Sequence, residues 1–365
     1  MRFSLLMTIS IAVTLLAGGA AHAATVAPAQ RDALNACVVR AAGALHFSGS
    51  VYLAQPGDLV VSRNFGTADA EGKVPVTDQT RFNIASAGKM FTAVGIGMLA
   101  ERGEVDWDAS IERYLTGLDA RFTAITIREL VQHRSGLGDY LTPDNLPAID
   151  KAATATDLLP LVFAVPPAFA PGSGMAYSNS GYVVLGAIIE KLTGLSYADF
   201  VQREIATPLG MADTSATALG AAEPMTRLSP DGTLQDQPRP SPMQSEHASP
   251  AGGMYSTASD MARLLSALAA NRLVKAETLA VLFSPRPHPP TRLGHNGGAP
   301  GMNAEIWLYP ESGWQLIALA NADPPVATRM AGILENAMLA ADPAAACTEA
   351  LAAPPPQMPL LRKRP

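Results

Sequence analysis

Apolar positions along this chain follow several rhythms, each pointing to a different element. Residues 28–45 carry Leu34, Cys37, Val38, Ala41 and Ala42 at the spacing of one helix face. Residues 47–53 and 59–65 are β-rich runs separated by Gln55-Pro56-Gly57-Asp58, which reads as a hairpin. Between Ser86 and Leu99 the polar face vanishes: Met90, Phe91, Val94, Ile96, Met98 and Leu99 predict a helix buried on nearly all sides, stopped by Gly103. Thr126-Ile127-Arg128-Glu129 has the form of a capping box and opens a helix that stops near Ser135-Gly136. Helices follow over 180–192 and 196–205, and Pro208-Leu209-Gly210-Met211 breaks the pattern. Residues 222–250, rich in Pro, Ser and Asp, read as a long irregular loop lining a cleft. Thr257-Ala258-Ser259-Asp260 is a second capping box, ahead of a Leu/Ala-rich helix. Alternation returns after Pro290, with strands over 302–309 and 314–320 joined by Pro310-Glu311-Ser312-Gly313, then a last helix over 327–339.

Strands at both ends with helices between them predict an α+β fold. One antiparallel sheet is assembled from the N- and C-terminal segments, beside a helical lobe, with a cleft between the two. Residues 24–345 form a single domain in this reading. Residues 346–365 are a Pro-rich tail, basic toward its end. Residues 1–23 have the layout of an export signal: Arg2, an apolar run over 5–16, and Ala21-His22-Ala23 as a cleavage site. That run is too short to be a membrane span, so the mature protein is expected to be soluble and periplasmic or secreted.

Composition changes this picture in two places. The chain of 365 residues has a formal charge of −6; removing Arg2 leaves 25 basic against 32 acidic residues. That mild acidity argues against nucleic acid or an anionic membrane as partner. The two cysteines, Cys37 and Cys347, stand near the two ends of the mature chain. In an oxidising compartment they are a candidate disulfide joining the termini; the alternative is two separately buried thiols.

The candidate chemistry starts at Ser86-Ala87-Gly88-Lys89. A serine hydroxyl needs a base within hydrogen-bond reach, and residues i and i+3 share a helix face. Burial lowers a lysine's pKa, so Lys89 is suited to that task. Two further motifs accompany it: Tyr177-Ser178-Asn179, after the Gly/Ser-rich Pro171-Gly172-Ser173-Gly174, and His295-Asn296-Gly297-Gly298, which opens the first strand of the C-terminal pair. Among six lysines only Lys89 has a serine three places before it, and among eight tyrosines only Tyr177 has an asparagine two places after it. Among twelve His or Lys residues only His295 is followed at i+2 by glycine. Composition alone gives the three patterns about 0.4, 0.2 and 1 times, so their ordered joint occurrence is roughly a one-in-a-thousand event.

With Phe82-Asn83-Ile84-Ala85-Ser86, His133-Arg134-Ser135-Gly136-Leu137, Pro208-Leu209-Gly210-Met211 and Ala251-Gly252-Gly253-Met254-Tyr255-Ser256-Thr257, these motifs make the chain resemble the penicillin-recognising serine hydrolases. The resemblance is to the branch holding class C β-lactamases, secreted D-Ala-D-Ala carboxypeptidases and family VIII esterases, and it covers about residues 30–340. It implies a β-lactamase/transpeptidase-like fold and an acyl-enzyme mechanism without cofactor or metal. Ser86 attacks a carbonyl. Lys89 and Tyr177 share its proton, the tyrosine needing a neighbouring cation to bring its pKa below 10. Asn179 orients Lys89 and binds a substrate amide, and the N–H groups of Ser86 and Gly298 form the oxyanion hole. His295 faces the cleft, toward a substrate carboxylate or the Tyr177 hydroxyl. His133 reads as a helix-end cation, Asp260 as a cap and Tyr140 as a residue at the cleft mouth.

One departure from the resembled family shifts the expected substrate. The third motif begins with His295 where true β-lactamases usually have lysine, and a neutral imidazole grips an antibiotic's carboxylate less well. A D-amino-acid peptidase or esterase therefore stands ahead of a class C-like β-lactamase, with a non-catalytic penicillin- or peptidoglycan-binding protein as the rival from another class. The expected partner is a small-molecule or peptide substrate, and the expected state is a monomer. An α/β-hydrolase lacks its G-x-S-x-G motif here, and the six histidines never fall into H-x-H or H-E-x-x-H spacing.

Overall fold

The computed structural model describes residues 25–228, 234–241, 243, 247–283 and 291–353. The expected export signal, residues 285–290 and the chain beyond residue 353 lie outside them. Helix α1 (Pro28–Leu45) opens on a proline, which loses no hydrogen bond in a first turn, and ends where His46 turns left-handed. The hairpin β1 (Gly49–Gln55) and β2 (Asp58–Phe65) follows, then β3 (Phe82–Asn83). A 3₁₀ turn, Ala85–Gly88, leads directly into α2 (Lys89–Glu101).

Helix α3 (Ile127–Val131) has its complete capping box: Glu129 N–H donates to Thr126 Oγ1 at 3.3 Å, and Thr126 N–H to Glu129 Oε2 at 2.9 Å. It stops sooner than the sequence suggested, because His133 turns left-handed at φ 57°. The helices α4 (Leu146–Ile149), α5 (Ala155–Ala164) and α6 (Asn179–Thr193) build the helical lobe. Then α7 (Tyr197–Phe200) runs through a π-helical turn, Val201–Ala206, into α8 (Thr207–Leu209), which Gly210 ends at φ 67°.

Within the stretch expected to be an irregular loop, β4 (Met225–Leu228) pairs antiparallel with β5 (Leu234–Pro240). Prolines hid this pair, since proline is tolerated only on edge strands and the pair is all edge. The short strand β6 (Tyr255–Ser256) pairs with β3. Thr257 caps α9 (Ala258–Ala269), but the expected second capping box is only half formed. The Asp260 carboxylate turns away to accept from Asp213 N–H and Thr214 Oγ1, both at 2.9 Å. After α10 (Ala276–Phe283), three strands complete the main sheet: β7 (Leu293–Ala299), β8 (Met302–Leu308) and β9 (Gln315–Ala320). The His295 motif thus lies inside a strand of its own.

The chain ends its described part with α11 (Val326–Leu339) and α12 (Pro343–Ala352). The sequence reading missed α12, and the boundary it placed after residue 345 falls inside this helix. Cys347 lies there fully buried and bonded to Cys37, with the two Cα atoms 5.9 Å apart.

The main sheet has the order β2-β1-β9-β8-β7, antiparallel throughout, so the N-terminal hairpin joins the C-terminal strands through Gly49↔Ala320 to Ala54↔Gln315. Strand periodicity divides β9 between two cores. Leu316, Ala318 and Ala320 pack with α1 and α11, whereas Ile317 and Leu319 face the core shared with the helical lobe. Helix α2 lies inside that second core, buried along almost its whole length. Its first residue, Lys89, stands beside the sheet's open edge strand β7.

Candidate active site

The Ser86 turn is held by backbone geometry. Ala85 adopts φ 46°, an uncommon conformation for a residue with a Cβ. Four hydrogen bonds sustain it: Ala85 N–H donates to Asn83 Oδ1 at 2.9 Å, Ala87 N–H to Ile84 C=O at 3.0 Å, Ile84 N–H to Met254 C=O at 2.9 Å, and Gly253 N–H to Ala85 C=O at 3.1 Å. Edge strand β7 passes so close that a Cβ on Gly297 would lie 2.1 Å from Ile84 O and 3.0 Å from Ser86 N. Only glycine fits there. An edge strand leaves alternate N–H groups outside its ladder, and β7 presents Gly298 to the same cleft as Ser86.

Lys89 is 1 % exposed. Its ammonium nitrogen lies 3.4 Å from Ser86 Oγ and 2.9 Å from Asn179 Oδ1, and it also donates to the Ala251 carbonyl. The rings of Tyr177 and Tyr182 face it at 4.7 Å and 5.5 Å. Burial pulls its pKa down from 10.5 to about 7, with the Asp139 carboxylate working in the opposite direction. Near neutrality the lysine is therefore present in substantial amount as the free amine. Asn179, the first residue of α6, keeps its carbonyl on Lys89 because its amide nitrogen points at both Asp139 carboxylate oxygens, each at 3.5 Å.

Tyr177 precedes α6, whose cap is Ser178, and its hydroxyl is hydrogen-bonded to Ser86. One face of the ring is open, 52 % of the residue being exposed. The hydroxyl end is nevertheless desolvated, and its pKa is pushed up to about 12, not down. The expected lowering by a cation is not seen: burial is the largest cause of the shift, and the Asp139 carboxylate pushes the same way. Tyr177 is thus protonated at neutral pH, whereas Lys89 is partly the free amine.

Two cavities meet at Tyr177. The first, about 310 Å³, holds Ser86, Asn179, Gly298, Tyr140, His247 and Ser249. The second, about 240 Å³, lies on the other side of the tyrosine and is lined by Lys89, Met90, His133, Tyr182, Phe283 and His295. His295 was expected in the first cavity and lines the second, its ring 6.5 Å from that of Tyr177 and its Nδ1 against the Asn296 carbonyl. Burial lowers its pKa to about 4, so it is neutral. Tyr140 is buried and lines the Ser86 cleft, as do Met243, His247 and Ser249 from the stretch after β5. A larger cavity of about 790 Å³, between α5 and the end of α6, touches none of the motif residues.

Sequence reasoning missed two residues here. His133 is not a helix-end cation: burial and the neighbouring Lys89 and His295 lower its pKa to about 4, and its ring packs against those of Tyr177 and Tyr182. Asp139 reaches Asn179 from a loop forty residues away. Their partners are distant in sequence, and no local spacing betrays them. Among the described residues no cluster of His, Cys, Asp and Glu has the makings of a metal site.

A serine-bearing turn, a buried lysine beside it and an edge strand bordering the cleft give the layout of the β-lactamase fold. The chain belongs to the family described as Beta-lactamase, which it matches over residues 38–337. It is 31 % identical over 266 residues to Esterase EstB of Burkholderia gladioli, a match covering 62 % of this chain and 67 % of that one. It is 37 % identical over 175 residues to Penicillin-binding protein 4* of Bacillus subtilis (strain 168), covering 46 % of this chain and 38 % of that longer protein. Among solved structures, D-amino acid amidase from Ochrobactrum anthropi SV3 matches with a TM-score of 0.72 at 26 % identity, covering 88 % of this chain and 98 % of that one. The penicillin binding protein from Bacillus halodurans gives 0.71 at 25 %, covering 81 % and 98 %.

Proposed function

We propose that this protein hydrolyses esters or D-amino-acid amides and peptides through an acyl-enzyme on Ser86. The observation that carries the reading is Lys89: a buried lysine with a pKa of about 7, within 3.4 Å of a serine hydroxyl, is a base poised at the working pH. Neutral Lys89 takes the Ser86 proton as Oγ bonds to the carbonyl carbon. The oxyanion forms between the N–H groups of Ser86 and Gly298. Tyr177, protonated and hydrogen-bonded to Ser86, gives its proton to the leaving oxygen or nitrogen and is reprotonated by Lys89. Water then attacks the acyl carbon, its proton passing to Lys89, and Ser86 leaves with a proton returned to Oγ.

Two of the relatives, Esterase EstB and D-amino acid amidase, carry names that support ester or D-amino-acid amide bonds. Neutral His295 favours the same, since it gives an antibiotic's carboxylate no fixed cation. Export to the periplasm or the medium agrees with the Cys37–Cys347 bridge and with the absence, among the described residues, of any helix long and apolar enough to cross a membrane. The test is turnover of p-nitrophenyl esters, D-amino-acid amides, D-Ala-D-Ala peptides and nitrocefin by wild type and Ser86→Ala. Ser86-dependent ester or amide hydrolysis is expected. Efficient nitrocefin turnover without either overturns the substrate ranking, and turnover by Ser86→Ala overturns the mechanism.

A further inference from the structure

Tyr177 poses a physical problem. It follows a Gly-containing loop, half of its surface is open to solvent, and its hydroxyl must stay between Lys89 and the leaving group. We propose that His133 is the positioning residue that solves it, by holding the backbone on both sides of Tyr177 and the face of its ring. The inference rests on the reading of Tyr177 as the proton donor of the reaction.

Three separate contacts carry it. The His133 carbonyl accepts from Ala176 N–H at 2.9 Å, one residue before Tyr177. The His133 Nδ1 accepts from Ser178 N–H at 3.1 Å, one residue after it. Between these, the imidazole packs against the Tyr177 ring at 4.7 Å, tilted by 30°, and against the Tyr182 ring at 5.2 Å. Tyr182 is buried and fixed in turn by a hydrogen bond from its hydroxyl to the Val131 carbonyl at 3.2 Å. His133 therefore packs on a buried, hydrogen-bonded ring. The backbone of His133 is left-handed at φ 57°, and this bend ends α3 and aims both carbonyl and ring at the tyrosine segment.

This geometry dictates the tautomer. A ring nitrogen that accepts from Ser178 N–H cannot carry a hydrogen, so the single proton sits on Nε2 and the imidazole is neutral. The surrounding charges act in the same direction: Lys89 and His295 both disfavour a second proton on the ring, as burial does.

The test uses variants that respect the left-handed backbone. Glycine adopts φ 57° freely and removes ring and acceptor. Asparagine tolerates the same φ and keeps an acceptor near the place of Nδ1. His133→Gly is expected to lower kcat about 10- to 100-fold with KM within about threefold, since misplacing a catalytic group by an ångström costs on that order. His133→Asn loses only about three- to tenfold. In a Tyr177→Phe background either change costs less than about twofold, because nothing remains to be positioned. A His133→Gly enzyme within about threefold of wild type overturns the proposal. So does a loss of equal size in both backgrounds, which is what general destabilisation produces. If His133→Gly does not fold, the His133→Asn comparison across the two backgrounds decides alone. Full activity of Tyr177→Phe itself is a different result: it removes the role of Tyr177, whatever His133 does.

Discussion

Replacing Asp139 by asparagine tests whether Lys89 titrates as the site requires. The carboxylate touches Asn179 Nδ2 at 3.5 Å, and Asn179 Oδ1 accepts from the lysine nitrogen at 2.9 Å. The two charges are thus separated by one amide group, about 8 Å in all. Coulomb's law gives their attraction as about 0.5 kcal/mol in water and about 2 kcal/mol at an effective dielectric constant of 20. Asp139 is exposed, so the watery end applies, and the variant's acid limb should fall by about 0.4–0.8 pH units. The direction follows from the sign of the interaction: the carboxylate favours charged Lys89, and without it the free amine persists to lower pH. With the wild-type limb at about 7, the variant's kcat/KM at pH 6, relative to its own plateau, should rise about two- to fourfold. The assay is kcat/KM for an ester with a pH-independent signal, from about pH 5 to about pH 9. An exposed, isosteric change leaves stability within about 0.5 kcal/mol, which thermal unfolding checks. An acid limb that stays in place, or moves upward, means that the group titrating near neutrality is not Lys89.

Three further outcomes follow from the same geometry. Gly297→Ala inserts a Cβ 2.1 Å from Ile84 O and forces β7 away from the Ser86 turn, so kcat should fall about 10²- to 10³-fold as the oxyanion donors part; a kcat within a few-fold of wild type contradicts the close approach. The double replacement Cys37→Ser, Cys347→Ser opens a link between residues 310 apart and should cost about 3–5 kcal/mol in urea unfolding, with the reduced wild type behaving like the variant. Acid should weaken the fold through its two neutral histidines. His133 and His295 are held near 4, below the ordinary value of 6.5, so their contribution is complete above pH 6.5 and is lost as pH falls toward 4. Between pH 7 and pH 5 that amounts to about 1–2 kcal/mol for each, and the pH dependence of the urea midpoint should shrink in His295→Gln.

The sequence announced the architecture wherever local chemistry agreed with the final fold. The stripe from Leu34 to Ala42 marked α1 at the residues where it lies, and Gly103 does stop α2, at φ 76°. The structure brings the three motifs together, Lys89 between Ser86 and Asn179 and Gly297 against the Ser86 turn. Each was legible because it packs polar groups or a close backbone approach into a few consecutive residues. What stayed hidden depends on distant partners. Strand β7 contains three glycines and no β-branched residue; it is extended because β8 pairs with it from Leu293↔Leu308 to Ala299↔Met302. Helix α12 is a short alanine run whose burial rests on the bridge from Cys347 and on packing against α1 and α11. The sign of the Tyr177 pKa followed from desolvation, which a sequence does not display. His133 and Asp139 lie 44 and 40 residues from their partners Tyr177 and Asn179; His133 read locally as a helix-end cation, and nothing near Asp139 in the sequence singled it out.

Every step of the proposed reaction passes through acylation of Ser86. The most direct measurement is intact-protein and peptide mass spectrometry after rapid acid quench of wild type, Ser86→Ala and Lys89→Met with a p-nitrophenyl ester. An acyl mass increment is expected on the peptide containing Ser86 in the wild type, none on Ser86→Ala, and strongly slowed labelling of Lys89→Met. Steady ester turnover by the wild type with no increment at Ser86, or an equal increment on Ser86→Ala, would contradict this mechanism.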